Sequence, residues 1–141
     1  MSQPRSGFEL VEHTADAAIR GWGPDLPALF RSMAEGLFAT IADLDSVRPQ
    51  TERRLSLDVE NPRDLLHEWL NELNALHQIH RELYVEFDVR LDGGHLDAVV
   101  HGESIDFDRH DLRIEVKAVT WHDFSLRTTD AGCEAYVLLD I

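Results

Sequence analysis

The sequence is short of cysteine, of long apolar runs and of basic residues. Its single cysteine, Cys133, excludes an internal disulfide and any cysteine-rich zinc site, which suits a reducing compartment. The polar first residues, 1–7, lack the apolar stretch of a signal peptide, and no later run approaches the length of a membrane span. These absences favour a cytoplasmic protein with no membrane partner.

Basic residues are outnumbered, since 13 Lys and Arg against 27 Asp and Glu give a formal net charge of −14. A protein that grips a phosphate backbone by itself carries a basic surface, so direct nucleic-acid binding is disfavoured. An acidic surface fits divalent cations or a basic protein partner, and it also simply keeps a protein soluble. The net charge therefore disfavours a nucleic-acid partner but does not decide between a divalent cation, a basic protein and no partner.

The usual catalytic templates are also missing. Gly93-Gly94 has the setting of a turn and not of a phosphate loop, and no Gly-x-Ser-x-Gly, Cys/His pair or Walker sequence occurs. His77 and His80 stand three residues apart, but they lack further Cys or His partners at the spacing of a zinc site. A conventional nucleophilic enzyme therefore has no support in the sequence.

Hydrophobic patterns predict a flexible leader at residues 1–7 and one α+β domain at 8–141. Helical spacing, with a capping residue and a proline at each start, predicts helices at about 26–42 and 62–80. Alternation predicts strands near 8–12, 18–23, 51–58, 84–91, 95–103, 114–121, 124–127 and 134–141. We expect a two-layer sandwich of one mixed or antiparallel β-sheet covered by two α-helices.

The last predicted strand ends on two carboxylates. It is continuously apolar from Ala135 to Leu139, which is typical of a strand buried on both faces and predicts a central place in the sheet. Asp140 and Ile141 follow, and an α-carboxylate on Ile141 would ionise near pH ~3.5. A hard divalent ion with oxygen ligands would match this pair, whereas the alternative is that both carboxylates point into water.

Other polar residues could contribute to a site. Asp16 and His13 lie in a polar break between two short strands, although Asp16 also fits a local turn and a lone histidine is usually structural. Glu72 borders the apolar arc of the second helix, where a solvated acidic face is the alternative. Lys117 interrupts an apolar strand and could neutralise carboxylates or contact an anion, unless it simply faces outward.

Five short motifs, read in order, resemble those of the archease family, and they extend over nearly the whole chain from about Phe8 to Ile141. They are His13-Thr14-Ala15-Asp16, Trp69-Leu70-Asn71-Glu72-Leu73, Gly102-Glu103, Val116-Lys117-Ala118-Val119-Thr120-Trp121-His122 and Val137-Leu138-Leu139-Asp140-Ile141. Trp121 and Cys133 depart from the family pattern, in which tyrosine and an aromatic residue are common at these positions.

The resemblance implies an α+β fold and an accessory protein, not an enzyme. Such a protein activates RtcB-type RNA ligase, the GTP-dependent enzyme of tRNA splicing and RNA repair, by promoting its guanylylation and multiple turnover. RNA is then a partner only through the ligase. By position, Asp16, Asp140 and the Ile141 carboxylate would hold a divalent metal ion, whether calcium, magnesium or manganese. The matching motifs also offer candidate contacts to ligase or nucleotide: Lys117, His13, Glu72 and Glu103.

Two other classes of function stay open at the level of the sequence. A chaperone-like module would hold client proteins on an apolar sheet face and would need neither a metal ion nor Asp140. A small metal-dependent hydrolase is motivated by the carboxylates alone, and it would turn over phosphate esters without any partner.

Overall fold

The computed structural model describes residues 6–12 and 16–141, so that most of the predicted leader and the candidate His13 lie outside the described residues. Within these ranges the chain forms two α-helices, α1 (Leu26–Ile41) and α2 (Pro62–His80). The strands of the described residues are β1 (Gly7–Glu12), β2 (Asp16–Gly23), β3 (Thr51–Asp58), β4 (Glu82–Asp92), β5 (His95–Ser104), β6 (Ala118–Val119), β7 (Ser125–Thr129) and β8 (Gly132–Asp140).

Both helices begin where the sequence predicts, because each has a side-chain cap and a proline in its first turn. Asp25 Oδ1 accepts a hydrogen bond from the Ala28 N–H at 3.0 Å, and Asn61 Oδ1 accepts one from the Arg63 N–H at 2.9 Å. Helix α2 stops at Arg81, whose φ of 53° is left-handed and cannot continue the helix.

The strands divide into two antiparallel sheets. The larger has five strands in the order β1-β2-β8-β6, with β7 also paired to β8, and the smaller has three in the order β3-β5-β4. The α+β class, the antiparallel pairing and the central place of β8 are confirmed. The division into two sheets, where one was expected, has a simple reason: alternation identifies a strand and its buried face but not the partner of each edge.

The predicted strand at 114–121 is much shorter in the structure, where only Ala118–Val119 pairs with β8. Before it, side chains of α2 take over the backbone hydrogen bonding. Asn74 Nδ2 and Gln78 Nε2 both donate to the carbonyl oxygen of Val116, at 3.2 and 3.0 Å. Because this acceptor is used by the helix, the chain approaches β8 as an irregular segment.

The core lies between the two helices and the sheets. Trp69 on α2 is fully buried, and its indole N–H donates to the Phe30 carbonyl oxygen on α1 at 3.0 Å, which ties the helices together. Strand β8 contributes buried side chains on both faces: Val137, Leu138 and Leu139. Neither helix in the described part of the chain is both long and apolar enough to cross a bilayer.

Gly102 has no space for a side chain, and we expect its replacement to weaken the fold. A Cβ at this position would overlap the carbonyl oxygen of Leu83 on β4, next to the register shift that follows Tyr84. Because backbone must move to relieve the overlap, Gly102→Ala should lower the free energy of unfolding by about 1–3 kcal/mol. Urea denaturation measures this difference.

Gly93 supplies the matched control at the turn between β4 and β5. Its φ is +60°, and a Cβ there would meet open space. Since asparagine tolerates the left-handed region, Gly93→Asn should change the free energy of unfolding by roughly 1 kcal/mol or less. Equal losses in the two variants would contradict the steric explanation for Gly102.

Candidate functional site

The register between β2 and β8 brings together two candidate ligands from opposite ends of the sequence. Asp16 and Asp140 are directly opposite each other in this antiparallel ladder. The Cα atoms of such partners lie about 4.5–5.5 Å apart. The backbone therefore places both aspartates at the same end of the five-stranded sheet.

Asp140 is held on its other side by the segment that leads into β6. Ala118 is its register partner there, and the Lys117 N–H donates to the Asp140 carbonyl oxygen at 2.7 Å. The side chains of Asp140 and Lys117 are both exposed. The backbone of Asp140 is thus fixed by two neighbours while its carboxylate faces solvent.

Ile141 and Glu72 lie near the elements that frame this end. The Ile141 side chain is partly buried and packs against the hydrophobic core, which restrains the residue that follows β8. Glu72 is partly buried on α2, the helix that packs against β6. The positions of Ile141 and Glu72 do not by themselves assign a ligand role to either residue.

The donor atoms at this end fit a hard cation. Carboxylate oxygens are the ligands that Ca²⁺ and Mg²⁺ prefer, and water usually completes the coordination shell. Among the described side chains, which do not include that of Asp16, no group of three or more His, Cys, Asp or Glu is close enough to hold a metal ion. A metal site at this end would therefore have to draw on Asp16 as well as Asp140.

Glu103 lies in a different part of the molecule, on β5 of the three-stranded sheet, and is only 5% exposed. Its carboxylate pairs with the Arg109 guanidinium and accepts a hydrogen bond from the Arg48 N–H at 2.7 Å. His110 Nδ1 accepts from the Asp106 N–H at 2.8 Å, so its proton is on Nε2, which lies 3.0 Å from Glu103 Oε2.

These contacts determine the charge state of Glu103. The Arg109 guanidinium lowers the pKa of Glu103 most, and His110 and the Arg48 N–H lower it further. Burial raises the pKa, but the net result is a pKa of about 2. The buried carboxylate thus joins β5 to the loop at 105–110. This geometry gives Glu103 a structural role, and its contact with a ligase or nucleotide stays a prediction.

An aromatic cluster that the sequence patterns do not reveal lies beside α2. Trp121 stacks on His67 with ring centroids 3.6 Å apart and an interplanar angle of 9°, and Phe124 meets both rings edge-on. Burial lowers the pKa of His67, so this imidazole is neutral near pH 7. Trp121 belongs to one of the motifs, but residues so far apart in sequence give no signal of the stack.

Comparison with known proteins places the chain among archeases. A model of the Archease protein family matches residues 8–141. The protein is 36% identical over 138 residues to Protein archease of Methanopyrus kandleri, covering 95% of this chain and 99% of that protein. It is also 36% identical over 139 residues to Protein archease of Methanothermobacter thermautotrophicus, covering 96% and 99%.

Two solved structures share the fold. The solution structure of Methanobacterium thermoautotrophicum protein 1598 has a TM-score of 0.81 and 32% identity, and the match covers 96% of this chain and 99% of that one. The crystal structure of a Thermotoga maritima archease, called a "possible chaperone", has a TM-score of 0.66 and 19% identity, with coverage of 100% and 98%. The second likeness is one of fold alone.

The buried Glu103 predicts a dependence of stability on acid. Its folded-state pKa of about 2 is below the ordinary 4.5, so ionisation stabilises the fold above pH 4.5, and this contribution is lost as the pH falls from 4.5 towards 2. Near neutral pH we expect Glu103→Gln to lower the free energy of unfolding by roughly 1–3 kcal/mol, because charge-assisted hydrogen bonds are lost. Urea denaturation across this pH range measures the difference, which should shrink on acidification.

Glu134 is the matched control because it also pairs with an arginine, Arg127, but at an exposed site. Glu134→Gln should change the free energy of unfolding by about 0.5 kcal/mol or less. If the gap between wild type and Glu103→Gln did not depend on pH, the depressed pKa would not be its cause.

Proposed function

Because the chain belongs to the Archease protein family, we propose that it is an accessory protein that activates an RtcB-type RNA ligase in the cytoplasm. In this proposal it promotes guanylylation and multiple turnover of the ligase and has no catalytic residues of its own. In this activation it meets tRNA or other RNA indirectly, through the ligase. The observation that carries the proposal is the register pairing of Asp16 with Asp140 at the end of the sheet.

The acidic end suits the chemistry of nucleotide transfer. A divalent ion bound there would neutralise the charge that develops on phosphate oxygens. Asp16, Asp140 and an Ile141 α-carboxylate would be its oxygen ligands from this chain. The exposed Lys117 side chain, whose backbone N–H donates to the Asp140 carbonyl oxygen, would contact a phosphate group or the partner.

The net charge of the chain also suits an RNA ligase as its partner. An enzyme that binds GTP and RNA ends needs a basic site, and this chain carries a net charge of −14. Complementary charges speed association and orient the two proteins as they meet, an effect that salt screens. The acidic end of the sheet would then approach the basic site of the ligase.

A chaperone-like module remains the alternative, and one surface favours it. A groove of about 470 Å³ beside the end of α2 is lined by polar and apolar side chains in equal number, and the apolar ones include the exposed Phe107, Leu112 and Ile114. Such a groove could hold an apolar segment of a client protein. This function would suppress client aggregation equally well in wild type and in Asp140→Asn, with or without a metal ion.

Removing either carboxylate should abolish most of the ligase activation. We expect Asp16→Asn and Asp140→Asn each to reduce the stimulated rate of ligase guanylylation about tenfold or more, since each would lose a charged metal ligand. The measurement is transfer of labelled GMP to the ligase with and without this protein. Asp130→Asn, at an exposed turn, is the control and should stimulate normally. If all three variants stimulated guanylylation equally, the proposed metal site would be ruled out.

The Ile141 carboxylate can be tested without disturbing the core. A Gly-Ser extension after Ile141 moves the α-carboxylate away but leaves the packed Ile141 side chain in place, whereas deletion would lose both. We expect the extended protein to bind Ca²⁺ or Mn²⁺ more weakly by roughly tenfold, because one oxygen ligand is lost. Calorimetric titration measures this, and an unchanged affinity would show that the α-carboxylate is not a ligand.

A further inference from the structure

Trp121 differs from the other two tryptophans in its exposure. Trp69 is fully buried and Trp22 is partly buried against Gly7, whereas Trp121 is 52% exposed. A single exposed apolar side chain needs no explanation by itself. Here, however, three neighbours hold the exposed indole in a defined orientation, and that arrangement does need an explanation.

Three neighbours hold the indole in place. His67 stacks beneath it at 3.6 Å, the Phe124 ring meets it edge-on at 5.6 Å, and the Arg63 guanidinium carbon lies 5.3 Å from the ring centroid. Arg63 and His67 are four residues apart on α2 and share a face of that helix. Because His67 stacks on one face of the indole and the residue is still 52% exposed, the opposite face is the open one.

His67 is a support for this surface and not a contact for a ligand. It is only 5% exposed, and its Nε2 has no hydrogen-bond partner among the described residues. Because burial lowers its pKa, the ring stays neutral and does not repel the adjacent Arg63. The indole covers the imidazole, so a molecule on the outer face would touch Trp121 but not His67, and the partly exposed Arg63 guanidinium lies close enough to the ring to reach the same molecule.

We propose that the outer face of Trp121 is a stacking site for a nucleobase, and that Arg63 binds the phosphate attached to it. Nucleobases stack on exposed aromatic side chains irrespective of sequence, and indole offers the largest such surface. Arg63 uses one N–H toward Asp64 Oδ1 and one toward the Phe124 carbonyl oxygen. Three of its five N–H donors remain for a phosphate.

The surrounding charges allow a weak site for one nucleotide but not a long nucleic-acid surface. Asp64 partly neutralises Arg63 at 3.1 Å, and Glu68 lies one residue from His67 on the same helix. On the other side, Asp123 is exposed and lies 3.4 Å from His122. With a single arginine against these carboxylates, we expect a dissociation constant on the order of 1 mM.

The ligand is either a free nucleotide or an unpaired nucleotide of an RNA strand, since both offer a base next to a phosphate. The site uses neither the ligase nor the acidic end of the sheet. It can therefore be tested on the purified protein alone, and its failure would leave the proposed activation of a ligase untouched.

The test is a calorimetric and NMR titration with three probes: GMP, guanosine, which lacks the phosphate, and ribose 5-phosphate, which lacks the base. We expect GMP to bind with the largest affinity, guanosine more weakly, and ribose 5-phosphate not measurably. A short oligoadenylate compared with AMP distinguishes the sources, because an RNA strand should bind more tightly than the mononucleotide only if it is the true ligand.

Matched variants assign the two contacts. Trp121→Ala should weaken GMP binding about tenfold or more, and Trp121→Phe should weaken it less, because part of the stacking surface is kept. Arg63→Gln should abolish the preference for GMP over guanosine. Phe107→Ala removes another exposed aromatic side chain, in the loop after β5, and should bind GMP like wild type. If Trp121→Ala fails to fold, Trp121→Phe and Arg63→Gln still test the proposal.

Three outcomes would overturn the proposal. One is the absence of GMP binding to wild type at roughly 10 mM, well above the expected dissociation constant. Another is binding of ribose 5-phosphate as tight as that of GMP, which would make this a phosphate site without stacking. The third is unchanged GMP binding in Trp121→Ala or Trp121→Phe. If Trp121→Ala impaired ligase activation while wild type bound no nucleotide, the indole would be a protein contact instead.

Discussion

The antiparallel register between β2 and β8 is the constraint on which the rest of the molecule depends. It runs from Asp16 opposite Asp140 to Gly23 opposite Cys133. A slip of one residue would turn the side chains of a strand to the opposite face of the sheet. Ile19 and Val137 are register partners that are completely buried, so a slip would expose them. Burial in the core thus selects the register, and the register selects which residues meet at the end of the sheet.

Helix α2 positions the segment that lies on the other side of Asp140 from β2. Its side chains bind the irregular segment before β6 through two hydrogen bonds to the Val116 carbonyl oxygen, and His67 packs under Trp121 just after β6. Between these two points, the Lys117 N–H reaches the Asp140 carbonyl oxygen. The helix therefore positions both the backbone beside Asp140 and the exposed indole, although neither is part of the helix.

The sequence predicts the local features of this fold well and the long-range ones poorly. The bounds of α2 follow from Asn61, Pro62 and a periodic apolar arc, all of which are close together in the chain. The division of the strands into two sheets depends on contacts between distant segments, which periodicity does not encode. Glu103 stands in a family motif, but its role follows from Arg109 and His110, whose approach only the structure reveals. The structure also leaves His13 outside the described residues, and its role stays a prediction.

Cations are scarce in this chain, yet its buried carboxylates are paired. Two buried ones, Glu82 and Glu103, are each paired with an arginine, as burial of a charge requires. Asp140, by contrast, is exposed and has no ion-pair partner among the described residues. With 13 basic side chains for 27 acidic ones, most carboxylates must be left unpaired, and their mutual repulsion opposes the compact state. At the end of β8 the backbone of Asp140 is paired on both sides while its carboxylate is exposed, so a cation or a basic partner bound there would relieve part of this repulsion.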